Sequence, residues 1–183
     1  MRAQKLARRA CSALAVTALA TLPALAEPTK LAAGDAFPPV EADSISGKHV
    51  MLPRDLHGAP FVVVFAFSQR AGAACARWSH ALNTAVPRGV AIYAVADLSH
   101  VPGIFRGFAI SGIRNEASPT EPEHRDHVLI LTRANVWSQI VPSGSDDDAV
   151  IVAVDKAGTV SDIERRAFSD AVAGDLAKAV APR

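Results

Sequence analysis

The stretch Phe61-Val62-Val63-Val64-Phe65-Ala66-Phe67, followed directly by Ser68-Gln69-Arg70-Ala71-Gly72-Ala73-Ala74-Cys75, decides how the rest of the chain is read. An unbroken apolar run rich in β-branched and aromatic side chains suits a strand buried on both faces. From Ala71 the pattern changes. Cys75, Trp78, Leu82 and Ala85 fall at helical spacing, and Pro87 closes the helix. A doubly buried strand that runs into an amphipathic helix points to an α/β domain with helices covering a sheet.

Outward from this unit the alternation continues. Upstream, residues 27–44 read as an extended lead-in with Pro28, Pro38 and Pro39, and Gly47-Lys48 turns into a short strand, His49 to Leu52. Downstream, Val90 to Ala96 is a second strand of the same kind. Val101, Ile104, Phe105, Phe108 and Gly112 then line one face of a second helix, a stripe expected to pack into the core. Residues 115–126 read as an exposed loop. His127 to Thr132 is a further strand, Ala134 to Val141 a short helix, and Pro142 to Asp148 a polar loop. Val150 to Val154 and Val160 to Arg165 form a hairpin that turns through Asp155-Lys156-Ala157-Gly158. Ser169 caps a last helix with Val172, Leu176 and Val180 inward. The order β-α-β-α-β-α-β-β-α predicts a mixed sheet with helices on both faces.

Composition sets the class. The chain has 183 residues, of which 50% are hydrophobic, 20% charged and 5% aromatic, enough apolar content for one core. A net charge of +1 leaves no basic footprint for nucleic acid. Residues 1–26 carry Arg2, Lys5, Arg8 and Arg9, an apolar run from Ala10 to Leu22, and a small-x-small cleavage site at Ala24-Leu25-Ala26. This is the pattern of a cleavable export signal, and it predicts a periplasmic or secreted protein with no stable membrane anchor. The domain is then residues 27–183. It retains all six histidines, and Cys75 is its one cysteine, so no internal disulfide forms in an oxidising compartment.

The element order resembles the thioredoxin-like fold, a three-layer α/β arrangement, with an inserted strand and helix. Gly47-Lys48-His49-Val50-Met51-Leu52, Leu56-His57-Gly58 and Phe61 to Ser68 resemble the opening of peroxiredoxins and secreted thioredoxin-like proteins, and Asp155 to Val160 resembles their late hairpin turn. The resemblance spans most of residues 34–181 and implies fold before activity. The family's functional positions are altered. Thioredoxins carry Cys-x-x-Cys just after the buried strand, where this chain has only Cys75. Peroxiredoxins place Pro seven residues and Thr three residues before their peroxide-reducing cysteine, where this chain has Ser68 and Gly72. The redox branch has a cis-proline before the late strand, where this chain has Ala149. A closer resemblance, carried by Phe65-Ala66-Phe67-Ser68, Trp78, His124-Arg125-Asp126-His127 and Val150 to Gly158, is to the mitochondrial F-type ATP synthase assembly factors and their exported bacterial relatives. It implies a protein-binding assembly role.

Three sets of residues carry candidate chemistry. Cys75 lies early in a helix, whose dipole favours a thiolate, and Arg70 or Arg77 would lower its pKa further. Against this, Cys75 shares the apolar stripe of Trp78 and Leu82, where a free cysteine is a small core residue. Phe67, Ser68, Gln69 and Arg70 follow the carboxyl end of a central strand, where ligand sites of α/β sheets gather, and Arg70 offers a planar fork to an anion. His127 would flank that groove. His124, Asp126 and His127 are possible zinc or copper ligands, and Cys75 with His80 is a second, incomplete set. Asp146-Asp147-Asp148 lacks the spacing of a calcium loop and reads as a solvated acidic turn.

The leading expectation is an exported thioredoxin-like protein without a redox cycle and without a cofactor, which binds another envelope protein or a small ligand. The alternatives are a one-cysteine thiol peroxidase acting through Cys75, and a metal carrier using His124 and His127.

Overall fold

The computed structural model describes residues 29–117, 122–141 and 145–180, so the export signal expected over residues 1–26 lies outside the described residues, as do parts of the two expected loops. Strands β1 (Val40–Ser44), β2 (His49–Leu52), β3 (Phe61–Ala66), β4 (Ala91–Asp97), β5 (Val128–Leu131), β6 (Val150–Val154) and β7 (Val160–Glu164) form one sheet in the order β2-β1-β5-β4-β3-β6-β7. The inner strands β3, β4 and β5 run parallel, while β6 is antiparallel to β3 and closes a hairpin with β7. Helices α1 (Ala71–Ala85), α2 (Gly103–Glu116), α3 (Pro122–Asp126), α4 (Trp137–Ile140) and α5 (Asp170–Val180) complete the chain.

The run that opened the sequence reading sits where its composition requires. All of β3 is buried, between β4 and β6, with a core on each side. Each Val or Phe so enclosed contributes about 1.5–3 kcal/mol of hydrophobic stabilisation. On one face Phe61 and Phe65 meet Phe37 and Trp137, with Phe65 stacked on Trp137 at 4.9 Å between ring centres. On the other, Val62 and Val64 lie under α1 and α5. Here Trp78, Leu82, Leu176 and Val180 are buried, and Phe168 meets Trp78 edge-on at 5.2 Å. Ser169 does cap α5, its Oγ accepting the Val172 N–H at 3.3 Å.

The structure corrects four expectations. The lead-in contains a strand, β1, in which Val40, Ala42 and Ser44 point inward and Glu41 and Asp43 outward. The alternation is present in the sequence, but its acidic half masks it. The segment expected as a loop over 115–126 contains the last two residues of α2 and the short α3. The short helix α4 covers only Trp137–Ile140 of the predicted 134–141. The largest correction is α2, which has no buried residue. The stripe expected in the core faces solvent, with Ile104 84%, Phe105 58% and Phe108 87% exposed. The half-buried face is instead Arg106, Ala109, Ile110 and Ile113. This helix is apolar on two sides, and the half-buried side is the one without phenylalanine. Arg106 fastens its start by donating to the carbonyls of Val101 (2.8 Å) and Ser99 (3.0 Å).

Candidate functional site

The sequence-predicted residues separate into two places. The first is the loop after β3. Phe67 is half-buried and stacks in parallel on Phe65, 5.5 Å between ring centres. Ser68 Oγ accepts the Ala71 N–H at 3.1 Å and so serves an orphan donor at the start of α1, while its hydroxyl donates to the Asp146 carbonyl. Gln69 is exposed, and its carbonyl accepts the Gly72 N–H. Arg70 does not stand free for an anionic ligand. Its guanidinium pairs with Asp146 at 2.8 Å and with Asp147 at 3.4 Å. The acidic run is therefore a latch across the end of the central strands, with Asp148 Oδ2 accepting from Ser145 at 2.8 Å. Nothing in the local sequence signals this pairing, because the partners are far apart along the chain.

His127 does not flank that loop. The registers Val64↔Ala94 and Ala94↔Val128 place His127 level with Tyr93 and Val63, well short of Ser68 along the strands. Its ring lies 4.7 Å from that of Tyr93. Burial, then the neighbouring His124, hold its imidazole below the usual range, so it is neutral near pH 7. The weak metal set His124, Asp126 and His127 does not close on a common point. Asp126 instead accepts a hydrogen bond from Ser46 at 2.5 Å and lies 3.8 Å from the Lys48 ammonium. Among the described residues no group of three or more His, Cys, Asp or Glu lies within reach of one ion, the pair Cys75 and His80 included.

The second place is a cavity of about 550 Å³ between α1, β4 and the end of α2. Cys75 and His80 line it from α1, Ile92, Ala94 and Ala96 from β4, Ile113 and Glu116 from α2, and His124 and His127 from the far side. Its walls are built of small residues. On this face β4 carries two alanines after Ile92, and α1 contributes Gly72 and Ala76, so the sheet and α1 leave the space unfilled. Sequence reading overlooked the cavity. The signal was there in the alanines that alternate along β4.

Cys75 is buried, and its thiol donates to the Val64 carbonyl at 3.6 Å. Burial pushes its pKa up to about 12, and the nearby Ser79 hydroxyl acts only weakly the other way. The helix start does not produce a thiolate, since Cys75 sits a full turn inside α1 among Val64, Trp78 and Ala149. Neither expected arginine is at the sulfur. Arg70 is committed to the acidic latch, and Arg77 lines a separate groove with Phe168 and Asp170.

No protein-family model matches the chain, and no curated protein matches it in sequence. Its fold is found among solved structures. A thiol:disulfide interchange protein from a Bacteroides species is 19% identical with a TM-score of 0.56, covering 81% of this chain and 90% of the other. A thiol peroxidase from Chromobacterium violaceum is 15% identical with a TM-score of 0.54 over 81% of this chain and 87% of the other. A secreted disulfide oxidoreductase from Mycobacterium tuberculosis is 15% identical with a TM-score of 0.51 over 77% and 96%. The chain has the thioredoxin-like α/β fold.

Proposed function

We propose that this chain is an exported protein that binds another protein through a thioredoxin-like scaffold and runs no thiol redox cycle. The observation that carries this reading is the state of Cys75. A dithiol cycle needs a second thiol, and residues 27–183 hold no other cysteine. A peroxidase needs a thiolate in reach of solvent and a cation to polarise the peroxide bond. Burial pushes the Cys75 thiol up to about 12, so it stays protonated near pH 7, and neither Arg70 nor Arg77 stands beside it.

Two further features support a binding role. The side chains Ile104, Phe105 and Phe108 stand in solvent on one side of α2, and large apolar groups clustered this way suit contact with a protein surface. Two of the segments that resemble the assembly factors, Phe65 to Ser68 and Val150 to Gly158, run from the central strands β3 and β6 into the turns after them. That resemblance is the reason to look for the partner among envelope proteins under assembly.

The test is chemical. The purified protein is mixed with hydrogen peroxide, and sulfenic acid at Cys75 is trapped and read by mass spectrometry, with Cys75→Ser as the blank. Oxidation no faster than that of a free model thiol is expected. Rapid, saturable oxidation at Cys75 would establish the peroxidase instead.

A further inference from the structure

We propose that the cavity between α1, β4 and α2 is a binding site for an uncharged, ring-sized apolar molecule carrying one hydroxyl or carbonyl head. Cys75 is one of the lining residues, taken here as part of the wall with no redox role, and the site is distinct from the outer face of α2.

Size and lining come first. The space is an open cleft, with Ala76, His80, Asn83, Thr84 and Glu116 exposed around it. A space of about 550 Å³ lies within the range of small-molecule sites. Its floor is Ala66, Ile92, Ala94 and Ala96, and its roof includes Ile113 and Ala117. Water gains little against such walls, whereas an apolar ring removes both surfaces from solvent at about 25 cal/mol per Å².

Charge then narrows the ligand. Among the described residues no lysine or arginine lines the cavity, so no permanent cation is present to hold a carboxylate or phosphate. Among the described residues the one charged lining side chain is Glu116, which repels an anion. The remaining polar groups, Cys75, Ser79, Asn83, Thr84, His80, His124 and His127, are uncharged donors and acceptors when the thiol is protonated and the imidazoles are neutral. Burial and the neighbouring His124 favour that neutral state at His127. A cationic head would oppose protonation of the imidazoles around it and gain only Glu116. A neutral head that both donates and accepts, as a phenol does, matches the set.

The probes are 2-naphthol, its anionic analogue 2-naphthoate, and benzylamine as a cation, titrated into the purified chain while methyl resonances of the isoleucines are followed by NMR. With 2-naphthol, Ile92 and Ile113 are expected to shift saturably, while Ile104 on the outer face stays in place. The naphthoate is expected to bind about tenfold more weakly or worse, the loss of one well-placed hydrogen bond plus repulsion. Ala94→Leu, which fills the floor, should abolish 2-naphthol binding and raise the unfolding temperature. His124→Phe tests the head group without filling the floor, and a weakening of several-fold is expected. Naphthoate or benzylamine binding as tightly as 2-naphthol would overturn the neutral assignment. Absence of saturable shifts at Ile92 and Ile113, or shifts centred on Ile104, would overturn the site itself, even should Ala94→Leu fail to fold.

Discussion

Helices α1 and α2 make the most instructive comparison in this molecule. Both follow a parallel strand, both are of similar length, and both carry apolar residues at helical spacing. In α1 the stripe Ala71, Ala74, Cys75, Trp78 and Leu82 is buried against the doubly covered strand β3. In α2 the bulkiest stripe, Ile104, Phe105 and Phe108, is in water, and behind the helix lies a cavity. Periodicity shows that a helix has an apolar side. It does not show whether the surface opposite can receive it. Beneath α1, β3 offers Val62 and Val64. Beside the end of α2, Ala94 and Ala96 of β4 line the cavity and leave it unfilled.

The sharpest way to break the comparison is Trp78→Ala. Trp78 is 1% exposed and bridges the sheet and Phe168. Its loss should cost about 3–5 kcal/mol, read as a lowered midpoint in urea unfolding. A cost below about 1 kcal/mol would mean that α1 is as loosely seated as α2.

The second prediction concerns pH on the α2 side. His127 lines the cavity, and burial lowers its pKa in the folded state. The unfolded imidazole takes up its proton near pH 6.5, whereas the folded one resists until the pH is lower. The contribution to stability is therefore fully present above about pH 6.5 and is lost as the pH falls through the lowered folded value. The thermal stability of the wild type should fall as the pH is lowered below about 6.5, and His127→Gln should flatten that dependence. An unchanged slope in the variant would place His127 in a solvated site.

How much of this was legible follows the same division. The unit Phe61 to Leu82 was readable because a strand buried on both faces and the helix that covers it are local patterns. The late hairpin and the Ser169 cap were readable for the same reason. What was hidden depends on pairing across the chain. Asp146 and Asp147 read as a solvated turn because Arg70 is 76 residues away from the first of them. His127 was expected beside Ser68 because the register of β5 against β4 is not written in either strand alone. Asp126 read as no more than a possible metal ligand because its partners, Ser46 and Lys48, come from the opposite end of the domain.

A smaller effect separates the latch from the core it borders. Arg70, Asp146 and Asp147 are all mostly exposed, so the ion pair is screened by water and salt. Arg70→Ala should cost less than about 1 kcal/mol. Its consequence should be local: faster amide hydrogen exchange over residues 145–148, with the strand β6 behind them unchanged. Raised salt should reproduce the effect in the wild type.

The smallest expected effect is the most telling about function. Phe108→Ser removes a large apolar side chain, a change that costs several kcal/mol wherever such a group is buried. At 87% exposure there is almost no packing to lose, and the unfolding midpoint should move by no more than about 0.5 kcal/mol. Stability without Phe108 implies that the fold has no use for it there. A chain that keeps Ile104, Phe105 and Phe108 in water, while the half-buried side of the helix is Ala109, Ile110 and Ile113, has placed its larger apolar residues where only another molecule can cover them. A loss of several kcal/mol would reverse this. It would mean that α2 turns its aromatic side inward in solution, fills the cavity with its own phenylalanines, and leaves neither a ligand site nor a docking face.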